Sequence, residues 1–291
     1  RRENIYIKNM GYEYTCNEDD MIDAYYKLKD GISKDEFIAL FERDKSVVSK
    51  YLTMKFLLEH NLSLKPMSIV IESELRKGMG GSASVSAALI LAIAKFYNID
   101  LKLEEISNYA YAADIIFHGG MPSGIDNATV VYGGFIKFNK NTGVEHLDIK
   151  TKLPVVIGDT LQQAATAITV PKVTEILKKS KKHREMMDEI DSIAVEAIEY
   201  IKHGNLRHLG RLMNRNHEIL RAFDISTPKL EKLISAAIKA GALGAKLSGG
   251  GGGGIMIALA RDSESRKKIA QAIEYAGGHA YIVELGVGGV E

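Results

Sequence analysis

The first half of the chain contains segments with apolar residues at the spacing of a strand and segments with apolar residues at the spacing of a helix. Residues 5–7 and 12–15 predict two short strands on either side of Gly11. The more polar region 20–60 predicts helices, because apolar side chains recur there at intervals of three and four. Residues 68–75 alternate apolar and polar side chains and predict a third strand.

Two strongly apolar segments come next and predict helices. Residues 85–96 have few polar positions, which is typical of a buried helix that is too short to cross a bilayer. Residues 103–117 carry an apolar stripe at helical spacing. Residues 128–138 are rich in β-branched and aromatic side chains around Gly133, and this composition predicts further strands.

The second half of the chain is dominated by long amphipathic helices. A strand over residues 153–157 precedes two helices, 173–200 and 206–223. A further helix is expected to begin at Thr227, because a threonine cap is followed there by proline. The remaining residues, 255–285, predict a strand, a helix and a strand.

The change from strands and loops in the first half to long helices in the second predicts two lobes with a boundary near residue 150. We expect residues 1–150 to form an amino-terminal lobe and residues 151–291 to form a carboxy-terminal lobe. A length of 291 residues suits either one large domain or two lobes that share a cleft.

The amino-acid composition limits the classes of molecule that we expect this protein to bind. The formal net charge is +1, which gives no reason to expect a nucleic acid or a membrane surface as partner. Cys16 is the single cysteine, which excludes an internal disulfide and fits a reducing cytoplasm. The composition therefore predicts a cytoplasmic protein without a nucleic-acid or membrane partner.

A glycine-rich turn lies between the third predicted strand and the apolar helix. Such a turn at a helix start leaves backbone N–H groups that point in one direction, and this arrangement suits a phosphate group. No Lys-Ser or Lys-Thr pair follows the glycines, so the turn is not a Walker A loop. The predicted phosphate-binding residues are Gly78, Met79, Gly80, Gly81, Ser82, Ala83 and Ser84.

A second glycine segment, Ser248 followed by six glycines, precedes an apolar strand. A flexible linker is the alternative, but linkers rarely lie directly between a compact helix and a core strand. Glycine also allows close approach of the backbone to a ligand. We therefore expect the two glycine segments to form two walls of one phosphate cleft.

Three titratable residues complete the candidate chemistry. Asp126 lies in a run of turn-forming residues, Asp114 lies on a predicted helix, and His118 is four residues further along the same face. Each has an ordinary explanation: turn formation, a solvated helix face and the helix dipole, respectively. Together with Ser82 they match what a nucleotide kinase needs, which is hard oxygen ligands for Mg²⁺ and a base for the attacking hydroxyl.

The motifs resemble those of the GHMP kinases. Residues 78–84 are similar to the second motif of that family and residues 246–254 to the third, in the same order and at similar separation. The Pro-Ser-Gly-Ile-Asp-Asn run, 122–127, is most similar to the members that phosphorylate mevalonate. The resemblance implies an α+β, two-lobed fold, with an amino-terminal lobe like ribosomal protein S5 domain 2 and a ferredoxin-like carboxy-terminal lobe.

The resemblance also implies roles for individual residues. It implies ATP-dependent phosphorylation of mevalonate to 5-phosphomevalonate, with Asp126 as the catalytic base for the C5 hydroxyl and with Ser82 and Asp114 as ligands of Mg²⁺. Contacts to ATP are expected from the first glycine segment and from Ser248, Gly249, Gly250 and Gly251. Contacts to the substrate are expected from His118, Ser123, Gly124 and Thr174.

Departures from the family pattern leave alternatives open. Asp114 stands where a glutamate is usual, and the family's first motif should precede Arg1. We therefore expect this polypeptide alone to be a poor kinase unless a separate amino-terminal segment joins it, and a homodimer stays open. The alternatives are a GHMP kinase for phosphomevalonate, homoserine or a sugar, or a non-catalytic ligand-binding relative.

Overall fold

The computed structural model describes residues 5–73, 79–118 and 122–291. The chain forms two compact units, Arg1–Leu147 with Val287–Glu291, and Asp148–Gly286. The last five residues thus belong to the first unit, whereas the sequence pattern placed them with the second. Within the described ranges, no helix is long and apolar enough to cross a membrane.

The first unit begins with a β-hairpin, β1 (Ile5–Asn9) and β2 (Tyr12–Cys16). Met10 and Gly11 connect them with φ values of 46° and 89°, and a two-residue turn with positive φ at both positions matches the twist of paired strands. Strand β3 (Ser68–Ile71) pairs with the other edge of β1 and runs parallel to it.

Three helices connect the hairpin to β3: α1 (Glu18–Leu28), α2 (Lys34–Arg43) and α3 (Val47–Glu59). The starts of α1 and α2 are closed by reciprocal capping boxes, from Asn17 and Ser33 respectively. Helix α3 is buried over most of its surface and belongs to the main hydrophobic core of this unit.

Helices α4 (Gly81–Tyr97), α5 (Leu103–His118) and α6 (Ile125–Tyr132) pack against one another. The strand predicted for the start of 128–138 is therefore wrong, because those residues belong to α6. Ala128 and Val131 are buried on one face of that helix, and Val131 packs against side chains of α4 and α5. Tertiary packing has overridden the β-propensity of this short run.

A second hairpin, β4 (Phe135–Asn139) and β5 (Gly143–Leu147), completes the strands of the first unit in the described residues. The chain terminus then returns beside α6, where the Val290 N–H donates to the Val131 carbonyl at 3.3 Å. The approach is close, since a Cβ on Gly133 would lie 2.1 Å from the backbone nitrogen of Gly289.

The second unit is a four-stranded antiparallel sheet with helices. Its strands are β6 (Val155–Asp159), β7 (Gly244–Ser248), β8 (Ile255–Leu259) and β9 (His279–Val283), in the order β7-β8-β6-β9. Its helices are α7 (Thr166–Lys179), α8 (Lys181–Lys202), α9 (Leu206–Ala222), α10 (Pro228–Lys239) and α11 (Ser263–Tyr275). This strand order with helical crossovers is ferredoxin-like. The predicted α+β fold class is confirmed.

The long helix predicted over residues 173–200 is two helices. Helix α7 begins earlier, at Thr166, and ends before Ser180, which has extended backbone angles. The Ser180 side chain accepts a hydrogen bond from the His183 N–H and so caps α8. Amphipathic spacing continues across the break, which is why periodicity alone did not reveal it.

Candidate active site

The start of α4 has the features of an anion-binding site. Gly80 precedes the helix with a φ of 71° and provides no side-chain cap, and the first turn contains no acidic residue. The N–H groups of the first helical turn have no partner within the helix, and the dipole gives this end partial positive charge. Gly78 lies outside the described residues, and the structural account therefore begins at Met79.

Asp114 lies on α5 and points to the first turn of α4. Its side chain is 2% exposed, and one carboxylate oxygen accepts a hydrogen bond of 3.0 Å from the Ser82 hydroxyl. Burial raises the pKa of Asp114, and the Ser82 hydrogen bond opposes that rise. A serine and a carboxylate that are 32 positions apart in the chain are therefore brought into contact.

Asp126 lies in the first turn of α6, where the sequence predicted a loop. Its side chain is exposed, and its charge contributes to the raised pKa of Asp114, so the two carboxyl groups are electrostatically coupled. Gly124 precedes this helix with a φ of 89° and, like Gly80, provides no side-chain cap. Ser82 and Asp126 thus each lie in the first turn of a helix whose start has no side-chain cap.

Asn127 is a site residue that the sequence analysis missed. Its side chain is 1% exposed and interacts with Asp114, whose pKa it lowers. Neither polar atom of the Asn127 side chain has a hydrogen bond of normal geometry among the described residues. Asn127 shares the buried side of α6 with Ala128 and Val131, and the interpretation of this region as a turn and a strand hid that helical spacing.

The candidate substrate residues of the first unit lie at the end of α5 and in the turn before α6. His118 ends α5 and is exposed, and its proximity lowers the pKa of Asp114, in line with the expected local pair. The Ser123 hydroxyl accepts a hydrogen bond of 3.3 Å from the Ile125 N–H and so shapes the turn before α6. The substrate contacts of His118, Ser123 and Gly124 stay predictions.

The glycine segment of the second unit is a packed loop. Gly249 and residues 251–254 have positive φ, between 71° and 126°. A Cβ on Gly251 would lie 2.4 Å from the Ile225 carbonyl oxygen, and one on Gly253 would lie 2.7 Å from the Gln163 carbonyl oxygen. The segment is therefore an ordered part of this unit, and its conformation requires glycine.

Side chains of α9 and of β7 itself form hydrogen bonds with the backbone of the strand that leads into this loop. Strand β7 is an edge of its sheet, and the Leu247 N–H donates to Nδ1 of the buried His217 at 3.5 Å. The Leu247 carbonyl accepts a hydrogen bond of 2.7 Å from Lys246 Nζ. Burial lowers the pKa of Lys246 to about 8. Polar side chains thus occupy the hydrogen-bonding groups of this edge strand.

Two threonines of α7 differ in position. Thr174, the predicted substrate residue, is exposed, and its hydroxyl donates to the Val170 carbonyl of its own helix at 2.9 Å. Thr166 lies at the helix start, where its side chain would be 2.8 Å from a Cβ placed on Gly250. Of these two threonines, Thr166 lies beside the glycine loop, and the substrate role of Thr174 stays a prediction.

The donor set at Asp114 fits Mg²⁺. Among the described residues, no group of three or more histidine, cysteine, aspartate or glutamate side chains is suited to hold a metal ion. Mg²⁺ commonly takes only one or two protein oxygens and fills its remaining positions with phosphate oxygens and water. Ser82 and Asp114 together offer such a pair of hard oxygen donors beside an anion-binding helix start.

Sequence comparisons match both units to one family. The profile described as "GHMP kinases N terminal domain" matches residues 46–134, and the profile described as "GHMP kinases C terminal" matches residues 197–279. The first match includes the start of α4, Asp114 and Asp126, and the second includes the glycine loop.

Individual relatives agree with this match. The chain is 33% identical to the mevalonate kinase of Thermococcus sibiricus over 265 residues, which cover 84% of this chain and 76% of that protein. It is 35% identical to the mevalonate kinase of Pyrococcus furiosus, over 77% of this chain and 67% of that protein. The crystal structure of L. major mevalonate kinase in complex with R-mevalonate superposes with a TM-score of 0.73 and 29% identity, covering 87% and 80% of the two chains.

Proposed function

The chain belongs to the GHMP kinase family, and we propose that it phosphorylates mevalonate at its C5 hydroxyl with ATP. The observation that carries this proposal is the contact between Ser82 and Asp114 at the uncapped start of α4, with Asp126 coupled to the same carboxylate. Relatives named mevalonate kinase support the choice of acceptor.

Asp126 is the proposed base. Its side chain is exposed at the start of α6, so that a substrate hydroxyl can reach it. In the reaction, the hydroxyl oxygen forms a bond to the terminal phosphorus of ATP, the bond to the bridging oxygen breaks, and ADP leaves. The hydroxyl proton passes to the Asp126 carboxylate.

Ser82 and Asp114 are the proposed cation ligands. When bound, Mg²⁺ neutralises charge on the phosphate groups of ATP. Asp114 is held by the Ser82 hydroxyl at 3.0 Å within a buried environment, so its carboxylate has a defined orientation. The partial positive charge of the α4 start favours the same phosphates.

The remaining assignments extend this proposal. We assign ATP contacts to residues 79–84 and substrate contacts to His118, Ser123 and Gly124 of the first unit. The ATP contacts expected of Ser248, Gly249, Gly250 and Gly251 and the substrate contact expected of Thr174 stay predictions. A cytoplasmic location is supported by the single, buried Cys16. The chain spans about two thirds to three quarters of the length of the relatives it matches. The homodimer and the separate amino-terminal segment stay predictions.

A coupled assay of ADP release across several acceptors tests the proposal. The purified chain is incubated with ATP, Mg²⁺ and, in turn, mevalonate, phosphomevalonate, homoserine and galactose, and ATP binding is measured by calorimetry in parallel. We expect ADP release that depends on mevalonate and on Mg²⁺, at a low rate if the expected poor turnover of this polypeptide alone is correct.

Two other results would change the proposed acceptor or the proposed kinase activity. ADP release with phosphomevalonate, homoserine or galactose but not with mevalonate would contradict the proposed acceptor. ATP binding without turnover on any acceptor would support a ligand-binding relative instead of a kinase.

A further inference from the structure

Asn127 carries a buried carboxamide that forms no hydrogen bond of normal geometry among the described residues. Among the described residues, six buried side-chain nitrogen or oxygen atoms lack a hydrogen-bond partner, and two of the six belong to Asn127. Leaving a buried polar group unpaired costs on the order of 1–3 kcal/mol. A group that paired with this carboxamide would remove that cost.

The surroundings of Asn127 indicate what that group is. Asn127 interacts with Asp114, and Ser82 donates to the same carboxylate. The charge of Asp126, one residue earlier, acts on Asp114 as well. The carboxamide is therefore buried beside two carboxylates and near His118, a setting in which a divalent cation would balance negative charge.

The carboxamide chemistry suits this position. Its nitrogen carries two N–H donors and its oxygen has two lone pairs, so one side chain can serve an anion and a cation at the same time. Asp114 is an acceptor when ionised, and neutral amide oxygens are hard ligands for divalent cations.

We propose that Asn127 is a third oxygen donor of the cation site, in addition to Ser82 and Asp114. Its Nδ2 donates to the Asp114 carboxylate, and its Oδ1 binds the divalent cation that accompanies the nucleotide. This inference rests on the proposed function, because it takes the metal–ATP complex as the occupant.

The test separates metal binding from stability by measuring each directly. Mn²⁺ is titrated against the full chain with a non-hydrolysable ATP analogue, and free Mn²⁺ is followed by electron paramagnetic resonance. The thermal midpoint is measured separately in EDTA. The variants are Asn127→Leu, which is close to isosteric, and Asn214→Leu as a matched control. In the native protein the Asn214 amide accepts from the Ala245 N–H at 2.9 Å and is thus already paired.

Opposite responses are expected from the two variants. Asn127→Leu raises the dissociation constant of Mn²⁺ by about tenfold or more, while its thermal midpoint in EDTA is equal to or higher than that of the native chain. Asn214→Leu lowers the thermal midpoint, because it leaves backbone groups unpaired, and does not change the Mn²⁺ affinity. A native Mn²⁺ affinity in Asn127→Leu overturns the inference, and so does a fall in its thermal midpoint with unchanged affinity.

A second variant keeps the test informative if Asn127→Leu does not fold. Asn127→Asp retains an oxygen but adds a carboxylate beside Asp114 and Asp126, so Mn²⁺ should raise its thermal midpoint by more than it raises that of the native chain. An equal or smaller rise contradicts the inference. A native chain that binds no Mn²⁺–nucleotide complex at all would contradict the proposed function itself, which is a different result.

Discussion

The two glycine-rich segments have similar compositions but different surroundings. At the start of α4, a Cβ on Gly80 would lie 3.7 Å from its nearest atom, Val130 Cγ2, which is an ordinary contact. In the second unit, a Cβ on Gly251 would lie 2.4 Å from the Ile225 carbonyl oxygen. The first segment is beside polar side chains that carry charge, whereas backbone groups of its own unit enclose the second.

This difference shows that glycine content alone does not identify the chemistry of a loop. The first segment gains its chemistry from its neighbours, Ser82 on the same helix and Asp114 on another. The second segment contributes a backbone shape that other residues cannot adopt. We therefore assign charge chemistry to the first unit and a fixed backbone shape to the glycine loop of the second.

The largest expected effect is the loss of turnover in Asp126→Asn. The substitution removes the base but keeps the size of the side chain, and general base catalysis contributes about 10²–10⁴-fold. We expect kcat for mevalonate to fall by about 10³-fold, with the dissociation constant of ATP unchanged in calorimetry. Asp100→Asn, at an exposed position of the same unit, is the control and should retain activity. A loss of kcat no greater than in the control removes Asp126 from its proposed role.

The next effect contrasts the two glycine segments directly. Gly251→Ala combines a positive φ with a clash against a backbone carbonyl, so we expect the free energy of unfolding to fall by about 3 kcal/mol. Gly80→Ala has a similar φ of 71° but no clash, and about 1 kcal/mol is expected. Urea denaturation of both variants measures the difference. Equal losses of unfolding free energy, or a larger loss for Gly80→Ala, would contradict the proposed difference between the two glycine segments.

A smaller effect is expected from Ser82→Ala. The substitution removes the hydroxyl that donates to Asp114 and that is proposed to bind Mg²⁺. The affinity for the Mg²⁺ complex of a non-hydrolysable ATP analogue should fall by about tenfold, since hydrogen bonds to charged groups contribute about 1.5–3 kcal/mol. The same titration in EDTA is the control and should show little difference from the native chain. An equal loss of affinity with and without Mg²⁺ would contradict the proposal that Ser82 binds the metal ion.

The smallest expected effect is on the pH dependence of the unfolding free energy and concerns His217 in the second unit. Burial lowers the pKa of His217 below its ordinary value of 6.5, so the unfolded chain binds the proton more readily than the folded chain does. The stabilising contribution of neutral His217 is therefore present above pH 6.5 and is lost as the pH falls from there towards the lower folded pKa. His217→Gln should flatten this part of the dependence of unfolding free energy on pH. An unchanged slope in urea denaturation over that range would contradict the burial argument.

Much of the fold could be predicted from periodicity. The apolar stripes of α4 and α5 and the alternation in β3 were sufficient, because each pattern is local and is repeated over several turns or strand residues. Helix α6 was predicted as strand because Thr129, Val130 and Val131 favour strands, and burial against α4 and α5 outweighed that preference. The break at Ser180 was missed because the apolar stripe continues across it.

The candidate site could be predicted only in part. The sequence indicated Ser82, Asp114 and Asp126 through motif resemblance, but no local pattern states that Ser82 and Asp114 touch across 32 positions. Asn127 was missed because the interpretation of its neighbourhood as a turn explained every residue in it. Burial of a polar side chain without a partner is a property of the folded chain, and only the structure reveals it.

The central claim is that the cation and the charge chemistry lie at the start of α4 in the first unit. Anomalous diffraction from crystals that contain Mn²⁺ and a non-hydrolysable ATP analogue tests it most directly. The account predicts one strong anomalous peak within coordination distance of the Ser82 hydroxyl and the Asp114 carboxylate. A peak bound instead by other residues, with both of these side chains outside coordination distance, would contradict it.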